Sequence, residues 1–258
     1  MRSGAVAWLL NLYGFKIYTL KGGYKAFRNW VLLQFEKGYK LNILGGFTGS
    51  GKTNLLRKMK EKGAFVIDLE ALANHRGSAF GSLGENPQPG QEMFENMRAL
   101  ELFRISKMIQ RGIEVSKINN NAVPWEIWVE DESRHIGLAG IPKKFWDQMR
   151  NNPLYFLDIP FEERLHQIVS DYGSFSKDDL ANSIIKIQKR LGGLEAKNAL
   201  NFLNENRISD CFSILLHYYD KLYYNSLNKR ENIETVLNKI PCKTVDVKNA
   251  EKLLAQKA

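Results

Sequence analysis

The stretch that decides the fold is Leu41-Asn42-Ile43-Leu44-Gly45-Gly46-Phe47-Thr48-Gly49-Ser50-Gly51-Lys52-Thr53. Its first four residues have the character of a short strand, and a helix is predicted from about Lys52. Between them stands GxxxxGK[ST], the phosphate-binding loop (P-loop) motif, in the strand–loop–helix context that it requires. We predict that backbone amides and the helix N-terminus bind phosphate oxygens here, because glycine lets these amides point inward.

The predicted phosphate-binding residues all belong to this loop: Gly46, Thr48, Gly49, Ser50, Gly51, Lys52 and Thr53. Lys52 is also predicted to be catalytic, because its ammonium group would neutralise the outer phosphate. The Thr53 hydroxyl would bind Mg²⁺ if a metal is present. A chance glycine-rich turn is the alternative explanation of the motif.

Strand and helix patterns alternate on both sides of the loop. Further strands are predicted at 64–69, 125–129, 154–159 and 243–247, and helices at 52–62, 91–111 and 160–172. Three more helices are predicted over 177–226, with breaks near 192–193 and 207, and a short helix follows the last strand. This alternation predicts an α/β fold of the P-loop type, a mostly parallel sheet with flanking helices and a helical C-terminal region.

The first forty residues are predicted to form a helix at 4–13, a strand at 15–20 and a helix at 24–35. This unit is too small to bury its own apolar positions, so it needs something outside itself. We therefore divide the chain into 1–38, a P-loop domain at 39–175, and a mostly helical region at 176–258 that completes or covers that domain.

The composition is that of a globular protein, with 44% hydrophobic and 25% charged residues. No apolar run approaches 18 residues, so we predict no membrane span and a cytoplasmic location. Cys211 and Cys242 stand apart from each other and from histidine, which argues against a zinc site or a disulfide framework.

The charge distribution favours a polyanionic partner. The net charge is +9, and residues 1–40 carry seven Lys or Arg against one acid. Basic ends around a nearly neutral centre suit an RNA, although a solvated basic surface is the alternative explanation.

Several polar residues follow predicted strands and are candidates for the site. Glu130 and Asp131 are predicted catalytic acids, and Arg134 is a predicted catalytic cation. Capping of the next helix is the alternative role for these acids. The predicted substrate-binding residues lie at the end of the second strand and in the following glycine-rich loop, and they are Asp68, Glu70, Asn74, His75, Arg76 and Ser78.

Long motifs in this order resemble the P-loop half of tRNA 2-selenouridine synthase. They cover residues 46–53, 68–78, 87–89, 91–96, 128–134 and 158–164. Residues 1–28 resemble the end of that family's rhodanese-like domain, so 1–38 is interpreted as the C-terminal remnant of such a domain. The catalytic cysteine of the rhodanese-like domain precedes this point in the family, and neither Cys211 nor Cys242 is its equivalent.

The resemblance implies two chemical steps at the wobble uridine of tRNA. Geranyl diphosphate gives its geranyl group to the sulfur of 2-thiouridine, and selenium from selenophosphate then replaces that sulfur. The rhodanese cysteine is associated with selenation, so this chain would do part of the work or need a separate rhodanese-domain chain. No cofactor beyond an optional Mg²⁺ is expected.

Two other functions remain open at this point. One is a P-loop kinase or nucleotidase acting on a small molecule, although no adenine-binding signature is readable. The other is a non-catalytic RNA-binding subunit that uses the loop as an anion site.

Overall fold

The computed structural model describes residues 2–119 and 126–255. Its helices are α1 Arg2–Leu12, α2 Gly23–Gln34, α3 Lys52–Glu61, α4 Leu69–Ala73, α5 Gln91–Asn119, α6 Lys143–Asn151, α7 Phe161–Tyr172, α8 Lys177–Leu191, α9 Gly193–Asn204, α10 Ile208–Asn228, α11 Ile233–Val236 and α12 Asn249–Ala255. Its strands are β1 Leu41–Gly46, β2 Phe65–Ile67, β3 Ile127–Glu130, β4 His135–Ile136, β5 Ala139–Gly140, β6 Leu154–Asp158 and β7 Leu237–Pro241.

Within the described residues, the main sheet has five parallel strands in the order β2-β3-β1-β6-β7. The central strand β1 is buried along its whole length. Its neighbours are β3 on one side and β6 on the other, so the chain leaves β1 where the strand order reverses. Ligands of open parallel sheets bind at such a point, beyond the carboxyl ends of the strands. The predicted parallel α/β fold is confirmed.

Three apolar clusters surround the loop that follows β1. One face of the sheet packs against α2, α5 and α6, with Phe35, Phe94 and Phe145 among its buried side chains. The other face packs against α3 and α12. A third cluster is formed by α7, α8, α9 and α10, and it confirms the predicted helical C-terminal region. The space between this third cluster and the sheet edge is where the site lies.

Two predicted strands are wrong. Residues 15–20 form no strand, and Phe15, Tyr18 and Leu20 are largely exposed, because the described residues offer them no neighbouring strand. The last strand is Leu237–Pro241 rather than 243–247. The chain turns away after Pro241, and Val245 packs against the phosphate loop instead.

Two other boundaries differ from the predictions. The helix predicted at 91–111 continues to Asn119, and the strand predicted from Trp125 begins at Ile127. Trp125 itself lies outside the described residues. The hairpin of β4 and β5 and the single-turn helix α4 had no clear periodic signal, because segments this short hold little more than one period.

The N-terminal unit is attached to the body through α2, whereas α1 is exposed. The Arg28 guanidinium donates to Glu95 at 2.5 Å, and the Trp30 ring meets Phe103 edge-on at 5.3 Å. On α1, by contrast, Trp8 is 65% exposed. None of the helices in the described part of the chain is long and apolar enough to cross a bilayer.

We expect Phe145→Ala to lower the free energy of unfolding by about 3–5 kcal/mol, because it removes a fully buried ring that contacts Phe35 and Tyr39. Urea titration followed by circular dichroism measures the loss. Leu138→Ala is the matched control, since Leu138 is 88% exposed and its truncation leaves no cavity. Equal losses in both variants would contradict this assignment of the core.

Candidate active site

The phosphate loop has a backbone that favours glycine at two positions. Gly49 and Gly51 have φ angles of 82° and 71°, in the left-handed region. A Cβ atom at Gly49 would also lie 2.6 Å from the Arg164 carbonyl oxygen, and one at Gly51 would lie 2.6 Å from Val245 Cγ1. The loop is therefore packed against α7 on one side and against the segment before α12 on the other.

Two polar side chains of the loop have hydrogen-bond partners within the protein, and a bound ligand could replace those partners. The Lys52 ammonium group folds back and donates to the Gly46 carbonyl at 2.9 Å. The Thr53 hydroxyl donates to Glu70 Oε2 at 2.7 Å. The Ser50 hydroxyl is buried and has no hydrogen-bond partner among the described residues. The Ser50 hydroxyl is thus a buried donor without a described partner, next to a lysine, which is the arrangement expected where an anion binds.

Arg164 holds the loop from the side of α7. Its guanidinium forms two hydrogen bonds with the Asp220 carboxylate, at 2.8 and 2.7 Å. It also donates to the carbonyls of Thr48, at 3.1 Å, and Ile159, at 3.2 Å, and lies over the Phe47 ring. Because Arg164 is buried, this one side chain joins α7, α10 and the phosphate loop.

Asp131 belongs to a second connection between the loop and α10. The Tyr223 hydroxyl donates to Asp131 Oδ2 at 2.6 Å and accepts from the Gly46 amide at 3.3 Å. The buried Arg230 guanidinium donates to Asp131 Oδ1. Asp131 lies on the cavity wall, but both of its oxygens are already engaged by protein groups. Its catalytic role stays a prediction.

Glu132 was not among the predicted site residues, although it belongs to the acidic run Glu130-Asp131-Glu132 that ends the strand pattern. Its carboxylate lines the cavity, and a Cβ atom at Gly77 would meet both Glu132 Oε2 and Glu70 Oε1. Burial is the main reason that the pKa of Glu132 rises to about 8, and the nearby Glu70 charge adds to the rise while Lys52 opposes it. The pKa of Glu70 is also raised by burial. Two carboxyl groups with raised pKa values thus stand beside the phosphate loop.

Glu130 and Arg134 do not line the cavity. Glu130 is fully buried, with Oε2 accepting from the Leu69 amide at 2.7 Å, and burial raises its pKa well above the ordinary value. Arg134 is exposed at the start of the β4–β5 hairpin. The structure therefore gives Glu130 a structural contact between β3 and α4. Neither Glu130 nor Arg134 lies in the cavity where a ligand would bind.

The loop at 74–90 brings some predicted substrate-binding residues to the cavity. His75, Arg76 and Ser78 lie on its wall. His75 Nδ1 accepts from the Gly77 amide at 3.1 Å, and burial lowers the His75 pKa, so the ring is neutral near pH 7 with its proton on Nε2. Arg76 donates to Glu85 at 2.8 Å and lies near the Tyr172 ring.

Asn74 and Asp68 have structural contacts instead. Asp68 caps α4, with Oδ1 accepting from the Ala71 amide at 2.7 Å. Asn74 ends the same helix in the left-handed conformation and donates to the Pro87 carbonyl at 3.0 Å. Together they fix where the loop at 74–90 starts, but they do not line the cavity.

The cavity has a volume of about 800 Å³ and two walls of different chemistry. One wall is the phosphate loop with Glu70 and Glu132. The opposite wall comes from α7, α8 and α10 and is apolar, with Ile168, Ile187, Phe212, Leu215 and Leu216. The sequence analysis assigned none of these apolar residues to the site, because helical spacing identifies a buried face without saying what it faces.

The described residues of the cavity supply an incomplete set of ligands for a metal ion. Thr53 and Glu70 carry oxygens that suit Mg²⁺, but they hydrogen-bond each other. Among the residues that the structure describes, no group of three or more His, Cys, Asp or Glu side chains could hold a metal ion. We therefore assign no metal ligands, and Mg²⁺ stays a prediction.

Known proteins support the resemblance seen in the motifs. Residues 39–245 match the family model described as the tRNA 2-selenouridine synthase AAA domain. A tRNA 2-selenouridine synthase from Bdellovibrio bacteriovorus is 35% identical, over 87% of this chain and 66% of its own length. One from a Sulfurovum species is 34% identical, over 85% of this chain and 63% of its own length. The chain thus spans a little under two thirds of the length of these relatives.

A solved structure from Thermus thermophilus is 16% identical and covers 86% of this chain and 98% of that one, but its TM-score of 0.32 is too low to carry an argument. The sequence family is shown independently of it, because the family model covers the sheet, the phosphate loop and most of the helical layer. The chain belongs to the tRNA 2-selenouridine synthase family, through its AAA domain.

Proposed function

We propose that this chain binds geranyl diphosphate and transfers the geranyl group to the sulfur of 2-thiouridine at the wobble position of tRNA. In this proposal the chain acts within the formation of 2-selenouridine, in which selenium from selenophosphate replaces the geranylated sulfur. The tRNA acceptor agrees with the names of the relatives and with the net charge of +9. A tRNA acceptor also implies the cytoplasmic location that the sequence analysis predicts.

The observation that supports a prenyl diphosphate is the cavity with one polar and one apolar wall. The diphosphate would lie at the loop amides, Lys52 and Ser50, and the hydrocarbon chain would lie against Ile187 and Leu215. Burying an apolar chain contributes about 0.8 kcal/mol per methylene, so this wall would select strongly for the prenyl group.

The transfer would follow from the positions of these groups. The thiocarbonyl sulfur forms a bond to C1 of the geranyl group, the C1–O bond breaks, and diphosphate leaves with both bonding electrons. The N3 proton of the alkylated base passes to the released diphosphate, so the product base is neutral. Lys52 and the loop amides would stabilise the charge that develops on the leaving diphosphate. The apolar wall would exclude water, which otherwise captures the allylic carbon.

Neither cysteine of this chain is suited to the selenation step. Burial raises the pKa of Cys211 to about 12 and raises that of Cys242 as well, so both stay thiols near neutral pH. This supports the proposal that the cysteine of a rhodanese-like domain, rather than Cys211 or Cys242, takes part in selenation.

We expect Lys52→Ala to slow geranyl transfer by about 10²–10³-fold, because it removes the cation next to the leaving diphosphate. The measurement is mass spectrometry of digested 2-thiouridine RNA after incubation with geranyl diphosphate, with and without EDTA to test for Mg²⁺. Lys58→Ala is the matched control, since Lys58 lies on the same helix with an exposed side chain.

Absence of the geranylated base with the unmodified chain would overturn the proposal. Competition between ligands separates the alternatives: geranyl diphosphate should bind at least about tenfold more tightly than inorganic diphosphate, given the area of the apolar wall. Hydrolysis of ATP that is lost in Lys52→Ala would favour a kinase or nucleotidase. Tight RNA binding without chemistry would favour a binding subunit.

We expect the affinity for geranyl diphosphate to fall as the pH rises through about 8. Glu132, whose pKa is raised to about 8 chiefly by burial, is uncharged below that pH. Above it, the carboxylate is negative and repels the diphosphate. Glu132→Gln should remove this fall and tighten binding by about tenfold near pH 9, while Glu61→Gln, an exposed change on α3, should leave the fall intact. Calorimetric titration measures both, and an unchanged pH dependence in Glu132→Gln would contradict the assignment.

The exposed apolar residues of the N-terminal unit support a rhodanese-like partner. Trp8, Leu12, Tyr13 and Tyr18 are each more than half exposed, although such residues are ordinarily buried. We propose that a rhodanese-like domain packs on this surface, whether it belongs to a separate chain or to the same one.

A separately produced rhodanese-like domain should bind the chain in sedimentation velocity experiments, and the double variant Trp8→Ser, Leu12→Ser should weaken that binding by at least about tenfold. Leu194→Ser is the control, because Leu194 is 69% exposed on α9, in the C-terminal helical layer. Equal binding by all three proteins would reject the surface.

A further inference from the structure

One edge of the cavity is formed by half-buried and exposed residues of α10 rather than by its fully buried face. Tyr218, Leu222 and Ser226 line the cavity and are spaced four residues apart, so they follow one another along one face of the helix. Leu222 is 43% exposed. The cavity therefore opens to solvent beside an aromatic ring and an aliphatic side chain.

Tyr218 differs from the other two tyrosines of this wall. The Tyr219 hydroxyl accepts from the Ala79 amide at 3.0 Å, and the Tyr223 hydroxyl is bound to Asp131. The Tyr218 hydroxyl has no hydrogen bond to any residue that the structure describes, while its half-buried ring packs against the third apolar cluster and meets Tyr219 at 5.2 Å between centroids. Protein hydrogen bonds thus occupy the hydroxyls of Tyr219 and Tyr223, whereas the hydroxyl and the exposed part of the Tyr218 ring remain available at the cavity edge.

Two cations of α8 lie near this edge, although only Arg190 is among the residues that line the cavity. Lys186 and Arg190 are exposed, lie one helical turn apart, and make no ion pair within the described part of the chain. Arg190 lines the cavity, and its charge opposes the rise in the pKa of Tyr219 to about 12, which burial chiefly causes. Lys186 adds to the lowering of the His75 pKa, which is mainly due to burial. Both cations therefore lie within electrostatic reach of cavity residues.

We propose that Lys186, Arg190, Tyr218 and Leu222 form the binding site for the acceptor nucleotide of a single-stranded RNA loop. The base stacks on the Tyr218 ring against Leu222, and the flanking phosphates pair with Lys186 and Arg190. This arrangement places the base at the edge of the same cavity that the phosphate loop lines. The assignment deepens the proposed function, because it names the part of the fold that receives the tRNA.

The chemistry of the edge favours unpaired RNA over a duplex or an acidic peptide. Proteins bind single-stranded RNA by combining cations that contact the backbone with aromatic rings on which bases stack. A duplex keeps its bases stacked on each other and would leave Tyr218 unused. An acidic peptide would use the cations but has no flat ring to place on the tyrosine.

The test is fluorescence anisotropy with the full chain and a labelled anticodon stem-loop RNA that contains 2-thiouridine. Tyr218→Ala should weaken binding by about tenfold, in keeping with the stacking of one base, while Tyr218→Phe should stay within about twofold of the unmodified chain. Lys186→Ala and Arg190→Ala should each reduce the slope of log Kd against log salt by about 1.

Two substitutions on the same helices serve as matched controls. Lys189→Ala removes a cation of α8 that lies off the cavity, and Tyr224→Ala removes an exposed tyrosine of α10 that also lies off it. Both should leave the stem-loop affinity within about twofold, whereas a general electrostatic attraction would make Lys189→Ala equivalent to Arg190→Ala.

The proposal is overturned if Tyr218→Phe loses as much affinity as Tyr218→Ala, if the controls lose as much as the site variants, or if a duplex or an acidic peptide competes equally with the stem-loop. Geranyl diphosphate binding should remain at the unmodified level in the two control variants, Lys189→Ala and Tyr224→Ala. A chain that shows the predicted RNA pattern without transferring geranyl would reject the proposed reaction and keep this site. Geranyl transfer with unaltered RNA binding in Tyr218→Ala would reject the site alone.

Discussion

Arg164 joins the phosphate loop to the helical layer through a buried ion pair with Asp220. Two charges in such a place lose most of their hydration, and only close hydrogen bonding compensates for that loss. Arg164 has this geometry, with two bonds to Asp220 and further bonds to the carbonyls of Thr48 and Ile159. Loss of one partner from a buried pair typically costs about 3–5 kcal/mol, so α7 and α10 are held where the loop needs them.

The same helix, α10, reaches the loop a second time through Tyr223. This hydroxyl accepts from the Gly46 amide and donates to Asp131, which the buried Arg230 also holds. The start and the middle of the loop are therefore both fixed by contacts from the helical layer. Because α10 also forms the apolar wall and the proposed nucleotide edge, the positions of both depend on the contacts that hold the phosphate loop.

Burial raises the pKa values of carboxyl groups in the cavity, which explains how a cavity with several acids could bind an anion. Ionised Glu70 and Glu132 would repel a diphosphate, but loss of hydration raises the pKa of both carboxyl groups. A protonated Glu132 does not repel the diphosphate, and it can donate a hydrogen bond to a phosphate oxygen. Lys52 supplies a positive charge on this wall. Its ammonium group donates a hydrogen bond to the Gly46 carbonyl until a ligand replaces that bond.

The sequence by itself determined the parallel α/β fold, the phosphate loop and the family. These follow from local signals, since Gly49 and Gly51 require a special backbone and strand–loop–helix context is contiguous in the chain. It did not determine which of three consecutive acids faces the ligand. The Glu130 side chain is buried in the core and accepts from the Leu69 amide. The Asp131 carboxylate is hydrogen-bonded to Arg230 and Tyr223, and the Glu132 carboxylate lines the cavity. Strand alternation separates neighbours but does not say which face meets a pocket, and the partners of Asp131 lie about a hundred residues further along the chain. The apolar wall and the proposed nucleotide edge were likewise decided by tertiary structure, because residues of α7, α8 and α10 meet the loop only once those helices pack together.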